Sequence, residues 1–109
     1  MGPIISFNEF KKMNLRIGEI AAVEKVPGTH KLLKLTIDVG GEMRQIVAGM
    51  AEYYDPETLI GKQVPILMNL EPKTFRGVES RGMILAVDVD GAPVLLHPAR
   101  KVPPGSIIR

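Results

Sequence analysis

Cysteine and tryptophan are both absent from the 109 residues. Without cysteine there is no disulfide scaffold, no thiolate-bound zinc or iron–sulfur cluster and no cysteine nucleophile. A reducing, cytoplasmic location fits that absence and is the expectation. Histidine is almost as scarce. His30 and His97 stand far apart with no HxxxH spacing and no carboxylate cluster, so neither a metal nor a cofactor is expected. His30 follows a Pro27-Gly28-Thr29 turn and is expected to face solvent; His97 precedes Pro98 and reads as a turn residue. No apolar run approaches the roughly 18 residues that span a bilayer, so no membrane partner is expected. The opening stretch MGPIISFNEFKK lacks a charged region followed by an apolar one, so no secretory signal is expected. There is no glycine-rich phosphate loop and no Ser/His/Asp order. Asp88 and Asp90, at i and i+2, share one side of a strand. They lie at a hairpin mouth, where a solvated end explains them better than acid–base chemistry does. No enzyme is expected.

What is present describes one folded domain, residues 1–109. Hydrophobic residues make up 45% and charged residues 24%, which excludes disorder. A chain of this length buries roughly 65% of its unfolded surface, enough for one modest core. The net charge is only +2, but its distribution is uneven. Lys11, Lys12, Arg16, Lys25, Lys31 and Lys34 face two acids, Glu19 and Glu24. Lys73, Arg76 and Arg81 face Glu79 alone, whereas Asp38, Glu42, Glu52 and Asp55 outnumber Arg44 in the middle. If the two basic stretches meet in space they form a one-sided positive surface. On charge alone, chance clustering of 14 basic residues on a small protein is the favoured explanation.

Hydrophobic periodicity changes along the chain. Ser6-Phe7-Asn8-Glu9 matches a capping box, which predicts a short helix to about Met13. One or two turns cannot stand alone in water, so this helix is expected to dock. From Leu15 the period is two, with Gly18 marking a bulge or sharp bend. Leu33, Leu35, Ile37 and Val39 then alternate with polar residues up to a Gly40-Gly41 hairpin turn, and Met43 to Ala48 returns. Asp55-Pro56-Glu57 predicts a helical turn with Asp55 as its cap. Lys62 to Leu70 is a strand in which Pro65 signals an edge. Glu71 to Arg81 reads as a polar loop. Met83, Leu85, Val87 and Val89 alternate, placing Met83 towards the interior, and Asp90-Gly91 is a type I′ signal before Val94 to His97. Val102, Ile107 and Ile108 in the tail need cover, either by closing the fold or by pairing with another chain. Five strands, or six, with a short N-terminal helix and a helical turn between strands three and four, predict an all-β, five-stranded OB-fold barrel. A small SH3-like barrel is the competing reading, which the helical turn disfavours.

The segment from Asn69 to Met83 carries the densest chemistry. Lys73, Arg76 and Arg81 suit phosphates. Asn69 and Ser80 suit a 2′-hydroxyl or a base edge, and Gly77 and Gly82 allow close backbone approach. The same residues also describe a solvated loop in which Asn69 and Ser80 bond their own backbone. With aromatics at 5%, and Phe75 the one that falls in this segment, base-by-base stacking is disfavoured. Recognition of a folded RNA by shape and backbone is the alternative that remains.

The pattern Asn69-Leu70-x-Pro72-Lys73-x-x-Arg76-Gly77-x-x-Ser80-x-Gly82-Met83, with Leu15-Arg16-Ile17-Gly18, Lys31-Leu32 and the closing Val102-Pro103-Pro104-Gly105-Ser106, resembles the tRNA-binding OB-fold domain family. That domain occurs at the C-terminus of methionyl-tRNA synthetases, in phenylalanyl-tRNA synthetase β chains and as free-standing proteins. The resemblance implies a non-catalytic module that grips the outer corner of folded tRNA. It assigns RNA contacts to Asn69, Ser80, Met83 and Lys31, to which the charge reading adds Lys73, Arg76 and Arg81. It departs from the family at Thr29-His30, where an Ala-Asp pair is usual. It further implies a homodimer joined through the N-terminal helix and the tail, and a role as β-type subunit or accessory of a methionyl-tRNA synthetase catalytic subunit. An export-type chaperone branch of the same family, binding unfolded polypeptide, is the alternative. Six methionines would suit such an adaptable surface.

Overall fold

A computed structural model describes residues 2–109. The elements run α1 (Phe7–Lys11), β1 (Leu15–Lys25), β2 (Leu33–Asp38), β3 (Met43–Ala48), α2 (Pro56–Leu59), β4 (Gln63–Leu67), β5 (Lys73–Phe75), β6 (Val78–Ser80), β7 (Met83–Ile84), β8 (Ala86–Val89) and β9 (Ala92–Leu95). A five-stranded antiparallel sheet in the order β3-β2-β1-β4-β7 curls into a nearly closed barrel. The expected all-β architecture is what forms, with α2 between β3 and β4.

The barrel exists because the alternation of β2 sends Leu33, Leu35 and Ile37 inward, all fully buried, against Ile20, Ile46, Val64 and Ile66 from its neighbours. Leu59 of α2 plugs this core and is itself fully buried. Asp55 precedes α2 as expected, yet its side chain makes no cap bond; its carbonyl accepts from Thr58 instead. The Gly40-Gly41 turn forms between β2 and β3 with both glycines at positive φ.

Three local expectations are corrected. Gly18 is not the bulge: it pairs in register with Val64, and the irregularity lies between Ile20 and Ala22. Its missing side chain is a matter of space, since a Cβ would fall 2.4 Å from Ile66 and 2.5 Å from Ile37. Pro65 does not mark an edge, for β4 lies between β1 and β7. Its partner Ile17 turns its own N–H and carbonyl to Ser106 and Gly105, so β1 loses no hydrogen bond to the proline. Finally, α1 forms with its capping box intact, Ser6 Oγ accepting from the Glu9 N–H at 3.1 Å, but it ends at Lys11 and buries none of its residues. Phe7 is 71% exposed and stacks on Phe10.

The tail finds its place on β1. Ile17 N–H donates to Ser106, Gly105 N–H to Ile17, and Ile108 N–H to Leu15, extending the sheet irregularly. Gly105, at positive φ, lies so close that a Cβ would fall 2.3 Å from the Val39 carbonyl. Arg16 Nη1 donates to the Gly105 carbonyl at 2.9 Å, which gives the Leu15–Gly18 motif a structural purpose.

Candidate nucleic-acid interface

The region read as a polar loop is a β-hairpin. β5 and β6 pair Lys73 with Ser80, Thr74 with Glu79 and Phe75 with Val78. Arg76 and Gly77 form the two-residue turn at φ 51° and 79°. Positive φ at both positions is the type I′ requirement, which glycine meets freely and arginine does not. The hairpin tip thus projects Arg76 into solvent on a backbone that an asparagine would adopt more easily.

The hairpin is stapled to the barrel by side chains of β3. Gln45 Nε2 donates to the Glu79 carbonyl at 2.8 Å, and Gln45 itself accepts from the Arg81 N–H at 2.9 Å. Arg44 Nη1 donates to the Met68 and Arg81 carbonyls at 2.9 and 3.3 Å while its Nη2 faces Glu42. Ser80 completes the seam: its Oγ accepts from the Val47 N–H at 3.0 Å and donates to the Gly82 carbonyl. A side chain here substitutes for the backbone ladder that would otherwise close the barrel.

Between hairpin and barrel runs an apolar groove of about 400 Å³, lined by Met50, Leu70, Phe75, Met83, Ile84 and Pro93, with Lys73 and Ser80 on its walls. Lys73 Nζ lies over the Phe75 ring, 5.1 Å from its centroid. Lys31 adjoins the same region, its carbonyl accepting from the Ala51 N–H next to Met50. Thr29 Oγ1 accepts from the Lys31 N–H at 3.1 Å, fixing the turn without the acid the family usually carries. Lys25 and Lys34 flank Val78 on the hairpin's other side, although Lys34 is engaged by Glu24.

The structure therefore places Lys73 and Met83 on one groove, with the Lys31 backbone tied to Ala51 beside its Met50 wall, Arg76 at the hairpin tip and Arg81 exposed at its base. Met83 is 43% exposed, a correction to its expected inward orientation. After Gly82 the chain pairs with β4 for only two residues, then leaves the barrel as the β8–β9 ribbon, whose β8 residues are all exposed. Tyr54 anchors that ribbon, donating to the Pro93 carbonyl and accepting from the Leu95 N–H.

Asn69 and Ser80 are placed otherwise. Ser80 is 4% exposed with both roles of its hydroxyl engaged. Asn69 Oδ1 accepts from the Asn14 N–H at 2.8 Å and its Nδ2 donates to the Lys12 carbonyl at 2.7 Å, clamping the end of α1 to the barrel. Both residues bond backbone: Ser80 reaches Gly82 locally and Val47 across 33 positions, and Asn69 reaches backbone 55 and 57 positions away. Sequence reasoning missed Gln45 and Arg44. Their signal was a polar residue on a β3 that alternates imperfectly, which does not by itself reveal a stapled hairpin.

A family model described as "Putative tRNA binding domain" matches residues 15–107. The methionine–tRNA ligase of Methanothrix thermoacetophila is 51% identical over 107 residues, and that of Archaeoglobus fulgidus 55% identical over 102. The matches cover 98% and 94% of this chain but only 16% of each ligase. Among solved structures, a MetRS-related protein from Pyrococcus horikoshii is similar at TM-score 0.93 and 38% identity, covering 99% of this chain and 100% of that one. The chaperone CsaA from Bacillus anthracis is similar at TM-score 0.88 and 34% identity, covering 98% and 100%. With motif order, barrel and family model agreeing over nearly its whole length, the chain belongs to the tRNA-binding domain family.

Proposed function

We propose that this domain binds folded tRNA by shape and backbone charge, with no catalysis of its own, and serves methionyl-tRNA synthetase either as an accessory or β-type subunit or as part of a longer chain. The observation that carries the reading is the groove: Lys73 lies on its wall beside an exposed thioether and one aromatic, while the Lys31 backbone is tied to Ala51, next to the groove residue Met50. Lys73, Arg76, Arg81 and Lys31 contact phosphates, while Met83 and Phe75 offer apolar surface to a single unstacked base. Asn69 and Ser80 act by holding α1 and the hairpin in place. Support for the synthetase connection comes from the archaeal ligases that this chain resembles.

A homodimer is part of the same proposal. Ile4, Ile5 and Phe7 around α1, Ile107 in the tail, and Val87, Val89 and Val94 on the ribbon leave more apolar surface open than one small domain needs to expose. A two-fold pair would present the basic surface twice to one RNA.

The test is Lys73→Ala combined with Arg76→Ala. Two lost phosphate contacts are expected to weaken tRNA binding about tenfold or more at moderate salt, with the fold unchanged by circular dichroism. Unchanged affinity in the folded double variant would overturn the site. Selective binding of a denatured polypeptide in place of tRNA would favour the activity named for the CsaA relative, to which the apolar groove is also suited.

A further inference from the structure

The loop from His97 to Val102 is gripped at both ends by one buried residue. Gln63, 6% exposed, accepts a hydrogen bond on its carbonyl from His97 Nδ1 at 2.7 Å. Since a carbonyl only accepts, Nδ1 carries the ring proton. The Gln63 side chain then pairs with Val102 as a strand neighbour would: Nε2 donates to the Val102 carbonyl at 2.6 Å and Oε1 accepts from its N–H at 3.0 Å. Between these two anchors the loop carries Arg100 and Lys101, and next to Gln63 in sequence stands Lys62. The three cations and His97 rim a shallow concavity of about 220 Å³. Glu19, beside this loop, is shared between Lys101 at 3.6 Å and Gln63 Nε2 at 3.1 Å. Among the described residues, Lys62 and Arg100 make no ion pair.

We infer that Lys62, Arg100 and Lys101 form a second phosphate-binding surface, held ready by the Gln63 clasp, for the sugar–phosphate backbone of the RNA that occupies the groove. The clasp matters because a fixed loop loses little further freedom on binding, whereas Arg100 and Lys101 on a loose one would lose more. The patch sits at the Gln63 end of β4 and the groove at the other, beyond Leu67. The five extended residues of β4, Gln63–Leu67, separate the two by roughly 17 Å. One RNA that touches both lies along the barrel, so the pair of surfaces measures shape as well as charge.

This inference rests on tRNA being the ligand. The experiment compares wild-type protein, Lys62→Ala/Arg100→Ala and Lys73→Ala/Arg76→Ala in tRNA binding over a salt series. Lys62 and Arg100 are exposed, so their removal leaves the fold intact. The expected result is a five- to tenfold weaker affinity for Lys62→Ala/Arg100→Ala and a log–log salt slope shallower by roughly 1.5 to 2. Gln63→Ala, with every cation kept, is expected to weaken binding without changing the slope. Wild-type affinity and slope in Lys62→Ala/Arg100→Ala, while Lys73→Ala/Arg76→Ala is impaired, would overturn the second surface alone. Failure of the wild-type protein to bind tRNA would overturn the functional reading beneath both.

Discussion

Ser80 shows how one side chain can be mistaken for a ligand contact. Its hydroxyl closes the seam between β3 and the hairpin, so that a ligand in the groove would bond it only by breaking that seam. Ser80→Ala strands the Val47 N–H in a buried setting and is expected to cost about 1–3 kcal/mol of stability. Affinity for tRNA, measured on the folded fraction, is expected to stay within about twofold. A tenfold loss of affinity with no change in unfolding midpoint would instead make Ser80 a direct contact. Gly18→Ala is the complementary case, far from any groove. Its new methyl meets Ile66 and Ile37 below contact distance, so a loss of about 1–3 kcal/mol is expected in denaturant unfolding.

At the scale of elements, the barrel was legible chiefly because burial on one face imposes a period of two on β2. The Gly40-Gly41 barrel hairpin, the Asp90-Gly91 turn of the β8–β9 ribbon and the α1 capping box were legible for equally local reasons. The β5–β6 hairpin was not. Its strands are three residues each, too short for alternation to show, and its turn begins with arginine where asparagine or glycine is the usual signal. The fate of Asn69 and the inner position of Pro65 were hidden for a different reason: both depend on partners more than 40 residues away. An arginine kept at φ 51° in an exposed turn is a local cost that its charge offsets. Arg76→Asn is therefore expected to raise stability by a few tenths to about 1 kcal/mol while lowering tRNA affinity several-fold. A variant that is both more stable and equally tight in binding would remove Arg76 from the interface.

For the whole molecule, the modest net charge of +2 understates what the fold does with it. Lys73 lines the groove with Arg76 and Arg81 on the same hairpin and its base, whereas Lys62, Arg100 and Lys101 gather at the far end of β4. Such separation predicts recognition of a folded RNA rather than of any polyanion. Were the protein to act as a dimer, sedimentation would show twice the 11.9 kDa chain mass. Phe7→Ser on the exposed face of α1 would then be expected to shift it to monomer and weaken tRNA binding together. The most direct measurement is a salt-titrated binding comparison of native tRNA with the same tRNA chemically prevented from folding. A preference for the folded form of tenfold or more, with affinity falling steeply as salt rises, is the predicted result. Equal affinity for both forms at every salt concentration would contradict shape recognition and leave a basic surface with no preferred partner.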